Sequence, residues 1–456
     1  MVLYRLLRAI FRAGVVLMLV TAARPVLASG PHYVFAHYMV CYSDYGQSLQ
    51  GFQQDITNAQ AAGIDGFALD VGEWNGPDTY YKADVELMYE AAESLGTGFK
   101  LFFSVDMANT NDIVQMISTY ASRTNSFYYN NALVVSSFCG NGFWWTNGVI
   151  QPLQSLGVSN VFFIPFFPTE NAWPSVAGVN ALLTKYSFVS GLFEFGVGLP
   201  TDITNMDSSY GQACQNAGKL FMAGCSPSYW GNSQTATGRT YFESQGGEGT
   251  ISQWNWIIQN QPDWVEIPTW NDFNEGTYIS PLFNPEQYES QVTTPHRYCH
   301  AGYLELMKRY ISWYKSGQPP PLSQDAVFYF YRTHSTNAIA SNTNDIPVSV
   351  FMGNVQDVIY NTVLLTAAAN LEIVSGTNYI TNSLPAGISN IRTPFTAGTQ
   401  QFTLRRMGRE ILTVQGPDIL SHITNYDYFP ASGYAYAPNV APPIDLHTTT
   451  NSNPQF

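Results

Sequence analysis

Eight short apolar runs that alternate with helix-like stretches predict an α/β fold, a (β/α)8 TIM barrel followed by a C-terminal all-β sandwich domain. The runs are rich in Val, Phe and Ile, and their unbroken apolar character is typical of parallel strands buried on both faces. A Pro-rich stretch follows, and beyond it short runs are separated by Gly, Asn and Thr turns. We therefore expect the barrel over residues 29–316, a linker over 317–325 and the β-sandwich over 326–440.

Residues 1–28 have the pattern of a secretory signal peptide. Three arginines, Arg5, Arg8 and Arg12, precede a short apolar stretch, and small residues before Ser29 form a cleavage site. The apolar stretch is shorter than the about 20 residues that a membrane-spanning helix needs. We therefore expect a secreted protein that acts in the extracellular space or the cell wall.

The predicted strands and helices follow one another in the order that a barrel needs. The strands are expected at Val34–Val40, Gly66–Val71, Lys100–Met107, Ala132–Phe138, Asn160–Phe167, Gly191–Gly196, Leu220–Gly224 and Trp264–Trp270. The helices are expected at Leu49–Ala62, Asp84–Leu95, Asp112–Ser122, Val176–Tyr186, Thr250–Gln259 and His300–Lys315. An open doubly wound sheet is the alternative, but no Gly-rich phosphate loop follows the first strand.

The C-terminal part is predicted to be all β. Its apolar runs lie at Ala326–Tyr331, Pro347–Phe351, Val358–Leu365 and Gln401–Leu404. We expect this domain to pack against the barrel. The last segment, residues 441–456, is low in apolar content and is expected to form a flexible tail.

The charge of the chain excludes some classes of partner. Its formal net charge is -14 and its pI is near 4.8, so nucleic acids and anionic membranes would repel it. A neutral substrate is compatible with this charge. Aromatic residues make up 15% of the chain and suit sugar binding, because their rings offer flat apolar faces. We expect no nucleic acid and no membrane among its partners, and we expect a monomer.

The chain has five cysteines, which are Cys41, Cys139, Cys214, Cys225 and Cys299. Secretion permits disulfides, and an odd number leaves at least one free thiol. Cys214 and Cys225 are predicted to pair because they are close in sequence. Neither the cysteines nor the seven histidines show the spacing of a zinc site.

Polar and acidic side chains follow several of the predicted strands. They are His37, Asp70, Asp106, Glu194, Asp272 and Glu275. In (β/α)8 barrels the active site lies at the C-terminal ends of the strands. Any one of these residues could be a helix cap or an ion-pair partner. Burying so many unpaired carboxylates is costly, however, so a shared acidic cleft is the better interpretation.

The strongest candidates for chemistry are Asp272 and Glu275, which lie three residues apart after the last predicted strand. Only 11% of the chain is charged, so this spacing is less expected by chance. Glycoside hydrolysis uses one carboxyl to protonate the leaving oxygen and a second as base or nucleophile. Carboxyl separations of roughly 6.5–9.5 Å predict inversion, and roughly 5–5.5 Å predict retention. The spacing in sequence leaves that choice open.

The segment around this pair resembles a known family. Residues 269–275, TWNDFNE, resemble the Trp-Asn-Asp-aromatic-Gly-Glu-Ser signature of the fungal α-1,3-glucanases, or mutanases, of glycoside hydrolase family 71. Residues 34–40, 61–69 and 100–107 resemble the first three strands of that family. The resemblance covers residues 33–315 and extends more faintly into the β-rich C-terminal part.

This resemblance implies endo-hydrolysis of α-1,3-glucan with inversion, without a metal or an organic cofactor. It also implies that Asp272 and Glu275 are the catalytic residues. We favour Glu275 as the acid and Asp272 as the base, and the reverse assignment stays open. The sequence departs from the family pattern at Asn274 and Gly276, where the family has Gly and Ser. An aromatic-walled cleft would raise the pKa of the acid by desolvation.

Seven further residues are expected to bind the substrate. They are His37, Asp70, Asp106, Trp230, Glu248, Trp270 and Asn271. Glu248 lies where the family tends to carry Gly-Asp-Asp, and Asp70 replaces what is often Asn. For each tryptophan a packing role is the competing interpretation, and for His37 it is a buried structural role.

An alternative function is that of a catalytically silent glucan-binding or cell-wall protein on the same barrel. The presence of Asp272 and Glu275 favours the enzyme, whereas the changes at Asn274 and Gly276 keep the alternative open. Hydrolysis of another neutral polysaccharide is a third option.

Overall fold

A computed structural model of the chain describes residues 30–43, 45–138, 143–167, 175–231, 239–281 and 298–438. From His32 onward the described residues belong to one compact unit. The expected signal peptide (1–28), the expected tail (441–456) and Cys139 lie outside the described residues. None of the helices in the described ranges combines the length and the apolar character that a bilayer crossing requires.

Strands and helices alternate through the first part of the chain. In order they are β1 (Tyr33–Met39), α1 (Leu49–Ala61), β2 (Gly66–Val71), α2 (Tyr80–Leu95), β3 (Lys100–Val105), α3 (Thr110–Tyr120), β4 (Tyr128–Tyr129), β5 (Ala132–Ser137), α4 (Phe143–Trp145), α5 (Gln151–Ser155), β6 (Val161–Pro165), α6 (Val176–Lys185), β7 (Gly191–Phe193), α7 (Pro200–Ala217), β8 (Leu220–Gly224), β9 (Tyr229–Gly231), β10 (Arg239–Phe242), α8 (Gly246–Asn260), β11 (Trp264–Ile267) and α9 (Ala301–Ser316). A π-helical turn, Thr146–Ile150, joins α4 to α5. Side-chain caps start three of these helices, with Ser48 before α1, Asn109 before α3 and Ser175 before α6 accepting backbone N–H groups.

Nine strands form the main sheet, and all but the short β4 run parallel, in the order β7-β8-β11-β1-β2-β3-β5-β6. The last strand of this sheet in sequence, β11, pairs with the first, β1, and the sheet curls so that its two end strands, β6 and β7, come together. Within the described residues no strand ladder joins β6 to β7, but the Ser190 N–H donates to the Phe163 carbonyl at 2.8 Å between them. The predicted α/β class is confirmed as a curled parallel sheet with helices in its connections.

Side chains of the parallel sheet alternate between its two faces. Inside the curl, Phe35, Phe102, Phe193 and Trp264 belong to one buried apolar cluster. On the outer face, the other strand residues and the apolar stripes of the helices form a larger cluster. Because the interior is filled with aromatic rings, the polar residues that follow the strands lie beyond it, at the C-terminal edge of the sheet.

The C-terminal part consists of strands. They are β12 (Ala326–Arg332), β13 (Val348–Met352), β14 (Val358–Leu365), β15 (Ala369–Ser375), β16 (Asn378–Leu384), β17 (Gly387–Pro394), β18 (Gly398–Arg406), β19 (Arg409–Ile419) and β20 (Pro430–Tyr436). Two four-stranded antiparallel sheets, β17-β14-β12-β20 and β16-β15-β18-β19, share a buried core. A third sheet, β13-β10-β9, links them to the first part, because β10 pairs in parallel with β13. The predicted change to antiparallel β structure is confirmed.

Some elements differ from the sequence prediction. Helix α7 was not predicted, because it is rich in polar residues and even its buried face includes the acidic side chain of Asp207. The last strand was predicted to run to Trp270, whereas β11 ends at Ile267. Trp270 and the acidic pair therefore belong to a loop that starts three residues earlier than expected.

The predicted disulfide between Cys214 and Cys225 is wrong, because both thiols are free and buried. Cys214 lies near the end of α7, where its carbonyl accepts the N–H of Lys219 directly before β8. Cys225 follows the other end of β8, a strand of five residues. At about 3.3 Å per residue, this strand separates the two Cα atoms by more than the roughly 7 Å that a disulfide tolerates.

Candidate active site

The loop after β11, residues 268–280, folds back on itself. The Thr269 N–H donates to the Thr277 carbonyl at 3.0 Å, and the hydroxyls of these two threonines also lie 3.0 Å apart. Both bonds join the two arms of the loop. We call this segment the strand-end loop, and it contains Asp272 and Glu275 between its two arms.

Backbone hydrogen bonds orient Asp272 within the strand-end loop. Its Oδ1 accepts the N–H groups of Asn274 at 3.0 Å and of Glu275 at 3.1 Å. Its own N–H donates to the Thr269 hydroxyl at 2.8 Å. Only 8% of Asp272 is exposed. This Asx-type turn fixes the direction of the carboxylate and uses one of its two oxygens.

Glu275 is partly buried and is anchored by β9. Its carbonyl accepts the Trp230 N–H at 2.8 Å, and the Tyr229 hydroxyl donates to its Oε1 at 3.4 Å. The residue before Tyr229 contacts the residue after Glu275: the Ser228 hydroxyl donates to the Gly276 carbonyl at 2.5 Å. Ser228 and the first two residues of β9 therefore hold Glu275 and Gly276 in place.

The surroundings of the two carboxyls push their pKa values apart. Burial raises the pKa of Asp272 to about 6, although the N–H groups of Glu275 and Asn274 oppose the rise. Burial, and then the charge of Asp272, raise the pKa of Glu275 to about 8, with the Tyr229 hydrogen bond opposing. Between these values Glu275 is protonated while Asp272 is ionised. Such a separation is the usual mark of an acid and a base that work together.

His37, in β1, lies between two buried carboxylates. Its Nδ1 is 2.7 Å from Glu266 Oε1, and its Nε2 is 3.0 Å from Asp70 Oδ2. The three side chains come from the adjacent strands β11, β1 and β2. Burial alone would lower the pKa of His37, but the hydrogen bonds with Asp70 and Glu266 raise it to about 10. The structure thus brings His37 and Asp70 together, and it uses both ring nitrogens of His37 inside the protein.

Trp270 and Asn271 connect the strand-end loop to the first strand and helix. The Trp270 Nε1–H donates to Asp55 Oδ1 of α1 at 2.8 Å. The Asn271 side chain accepts the Met39 N–H at 2.8 Å and donates to the Met39 carbonyl at 3.0 Å. The polar atoms of these two residues are therefore engaged in holding the loop against α1 and β1.

Two other residues that were expected to bind substrate, Trp230 and Glu248, contact other parts of the protein. Trp230 is fully buried, and its ring centroid lies 4.8 Å from that of Phe429. Glu248, on α8, accepts a hydrogen bond from Arg392 Nε of β17 at 2.8 Å, and both side chains are partly exposed. The structure thus gives Trp230 a packing contact with the C-terminal part and Glu248 a surface ion pair.

The remaining acidic candidates, Asp106 and Glu194, follow the strands β3 and β7. Asp106 directly follows β3 and is partly exposed, and its N–H donates to the Val71 carbonyl at 3.1 Å. Glu194 is buried after β7, where burial raises its pKa to about 8 and its charge acts on Asp207 of α7. Within the described ranges, no three His, Cys, Asp or Glu side chains are grouped as a metal site requires.

Three residues of this site were not predicted from the sequence, and these are Glu266, Tyr229 and Tyr42. Glu266 had a usable signal, because it is the single charge inside the apolar run of β11. Tyr42, whose hydroxyl accepts a hydrogen bond from the Asn274 amide, had none. The chain contains 29 tyrosines, so its composition does not single out Tyr42 or Tyr229.

Comparisons with known proteins cover most of the chain. The profile of glycosyl hydrolase family 71 matches residues 30–441. A glucan endo-1,3-alpha-glucosidase of Schizosaccharomyces pombe is 29% identical over 92% of this chain and 98% of that protein. A mutanase of Penicillium rubens is 30% identical over 87% of each chain. An ascus wall endo-1,3-alpha-glucanase of Schizosaccharomyces pombe is 28% identical over 79% of this chain and 86% of that protein.

Proposed function

The chain belongs to glycosyl hydrolase family 71, and on that basis we propose that it cleaves the α-1,3-glucosidic bonds of α-1,3-glucan, acting within the polymer and with inversion. Family membership confirms the predicted class, a glycoside hydrolase. The substrate is proposed from relatives whose names state an α-1,3-glucan-cleaving activity. The observation that carries the mechanism is geometric: Asp272 and Glu275 lie in one loop that follows β11, and the Asp272 carboxylate accepts the Glu275 N–H at 3.1 Å. The raised pKa values of both carboxyls agree with it.

In this mechanism Glu275 is the general acid and Asp272 is the general base. Glu275 donates its proton to the glycosidic oxygen as the bond from that oxygen to C1 breaks. Asp272 removes a proton from the water whose oxygen forms the new bond to C1 from the opposite face. The products are two shorter glucans, one with a new reducing end of inverted configuration. Proton exchange with solvent then returns both carboxyls to their starting states.

The supporting residues divide into two groups in this proposal. Asp70, near the end of β2, and Asp106, directly after β3, are proposed to contact the sugar. Trp270 and Asn271 are proposed to hold the strand-end loop, because their polar atoms bond to α1 and β1. Trp230 is proposed to support Glu275 from the other side through its backbone N–H.

We also propose that the parallel sheet closes as a (β/α)8 barrel over residues 29–316, followed by a linker and a β-sandwich over 326–440. The backbone hydrogen bond from Ser190 to Phe163 supports closure between β6 and β7. The pattern of residues 1–28 supports secretion to the extracellular space or the cell wall. A relative named as an ascus wall enzyme agrees with that location.

The test is the release of reducing ends from insoluble α-1,3-glucan by the wild-type protein and by the Asp272→Asn and Glu275→Gln variants. We expect release by the wild type and losses of about 10²–10⁴-fold in each variant, with binding to the glucan retained. Proton NMR of the first products should show the β-anomer, and chromatography should show oligosaccharides rather than glucose alone. Binding without release by the wild type would instead support the catalytically silent alternative.

A further inference from the structure

We propose that His37 is a permanently charged positioning residue, whose imidazolium keeps the buried carboxylates Asp70 and Glu266 from taking part in the proton chemistry of Asp272 and Glu275. This inference rests on the proposed function, because it concerns the acid and base of that reaction. It assigns to His37 an electrostatic role in place of the direct sugar contact expected from the sequence.

The hydrogen-bond geometry around the His37 ring requires either that both ring nitrogens carry a proton or that one of the two neighbouring carboxyls is protonated. A carboxylate can only accept hydrogen bonds, and a neutral imidazole donates from one nitrogen alone. Both nitrogens of His37 nevertheless lie at hydrogen-bond distance from carboxylate oxygens, 2.7 Å for Glu266 and 3.0 Å for Asp70. A doubly protonated ring satisfies both contacts without protonating either carboxyl.

Burial makes this charge arrangement necessary. His37 is 1% exposed, Asp70 is 5% exposed and Glu266 is fully buried. Two unpaired carboxylates in such a place would carry a large desolvation cost, which a cation between them offsets. The pKa of His37, which burial lowers but hydrogen bonds to both carboxylates raise to about 10, agrees with a cation at neutral pH.

The charges around His37 reach the acidic pair. The charge of Asp70 raises the pKa of Asp272, and the charge of His37 lowers it. Two uncharged groups also contact His37: the ring of Phe195 lies edge-on at 5.0 Å between centroids, and the Trp270 N–H donates to the His37 backbone carbonyl at 2.7 Å. Without the imidazolium, four neighbouring carboxyls would compete for protons, and the carboxyls close to His37 would be protonated more easily. The four are Asp70, Glu266, Asp272 and Glu275.

The first test compares the pH dependence of α-1,3-glucan hydrolysis in the wild type, His37→Gln and His37→Lys. The charge of His37 lowers the pKa of Asp272, so its loss in His37→Gln should move the acid limb of the profile, which follows Asp272, to higher pH by about 1 unit. His37→Lys keeps the charge, so its acid limb should stay near that of the wild type. A slower His37→Gln enzyme with an unmoved acid limb, or equal shifts in both variants, would leave His37 a packing role and overturn the proposal.

The second test needs no glucan cleavage and uses the wild-type protein. Nitrogen-15 NMR of the histidine rings should show His37 doubly protonated from pH 5 to pH 9. The matched control is His334, a buried histidine whose Nδ1 faces the Ser335 carbonyl at 2.9 Å and whose Nε2 accepts the Asp427 N–H at 3.0 Å. His334 should be neutral at pH 7.

A neutral His37 at pH 7 would mean that Asp70 or Glu266 holds the proton, and the proposal would be wrong even if the enzyme cleaves glucan. A charged His37 in a protein that releases no sugar would instead contradict the proposed function alone. The NMR result also stands if the His37→Gln variant does not fold.

Discussion

Gly276 and Phe429 lie so close together that a side chain at Gly276 would meet the aromatic ring, because a Cβ atom built there would stand 2.8 Å from Phe429 Cδ1. Gly276 also has a φ of 65°, in the left-handed region that favours glycine. It directly follows Glu275, and Phe429 also packs against Trp230. The C-terminal part of the chain therefore supports the proposed acid from one side.

Replacing Gly276 with alanine should lower both stability and activity. The added methyl group must displace the Phe429 ring, and overpacking of this kind costs about 1–3 kcal/mol in addition to the backbone strain. Chemical denaturation measures the loss of stability, and glucan hydrolysis measures the rate. We expect the rate to fall because a shift of this residue moves Glu275.

The matched control is Gly98→Ala. Gly98 has a φ of 74°, but nothing lies within 4 Å of a Cβ atom at that position. This variant should cost about 1 kcal/mol from backbone strain alone and leave the rate unchanged. Equal losses in both variants would contradict a role for the Phe429 contact.

Replacing Tyr229 with phenylalanine should shift the alkaline limb of the pH profile upward. The Tyr229 hydroxyl donates to Glu275 Oε1 and lowers the pKa of that carboxyl. Without the donor, the protonated form of Glu275 persists to higher pH, so the acid stays active there. Tyr128→Phe, which removes the hydroxyl of an exposed tyrosine far from the site in sequence, is the control and should leave the profile unchanged. A downward shift in Tyr229→Phe would contradict the assignment of Glu275 as the acid.

The Asp272→Asn variant should have a lower pKa at Glu275. The negative charge of Asp272 is the second cause, after burial, of the raised pKa of Glu275, and the amide removes it. Carbon-13 NMR of glutamate-labelled protein measures this pKa directly, with the Glu275 signal identified by its loss in Glu275→Gln. An unchanged value would show that the two carboxyls do not interact.

Replacing Glu248 with glutamine should leave glucan hydrolysis unchanged. Its carboxylate pairs with Arg392 at the surface, and such pairs contribute less than about 1 kcal/mol to stability. Reducing-end assays and thermal unfolding of the variant check both statements. A loss of activity of about 10²-fold or more would show that Glu248 acts in the cleft after all, as the sequence first suggested.

Replacing Asp427 with asparagine should weaken the pH dependence of stability. Burial raises the pKa of Asp427 to about 8 in the folded protein, whereas an unfolded aspartate titrates near pH 4. The folded state therefore binds more protons between these values, and stability falls as pH rises from about 4 to about 8.

Asparagine does not titrate, so in this variant the fall in the free energy of unfolding between pH 5 and pH 8 should be smaller by about 2 kcal/mol or more. Denaturant unfolding at pH 5 and at pH 8 measures the free energy of unfolding of each protein. Glu90→Gln, on the exposed face of α2, is the control and should decline as the wild type does. A decline in Asp427→Asn as steep as that of the wild type would contradict the prediction.

The parallel sheet was predictable because its strands are buried on both faces and so appear as unbroken apolar runs. The run at Gly66–Val71, for example, is buried at every position and matches β2. The helix α7 lacked such a signal, because its exposed face is polar and its buried face contains Asp207. Periodicity detects a helix only when its buried positions are apolar.

The acidic pair was predictable from its position after the last strand, whereas its neighbours were not. The partners of Trp270 and Asn271 are Asp55 and the backbone of Met39, far away in sequence. The same holds for Glu248, whose partner Arg392 lies in the C-terminal part. Sequence patterns report which residues are polar, but only the folded chain decides which atoms those residues face.

The parallel pairing of β10 with β13 also sets an order of events during synthesis. The ribosome completes Asp272 and Glu275 well before it reaches Val348–Met352 and Phe429. Until those residues emerge, β10 lacks its partner strand and Gly276 lacks the ring that confines it. We therefore expect a nascent or truncated chain that already carries both carboxyls to be inactive, and the enzyme to become competent only once translation is nearly finished.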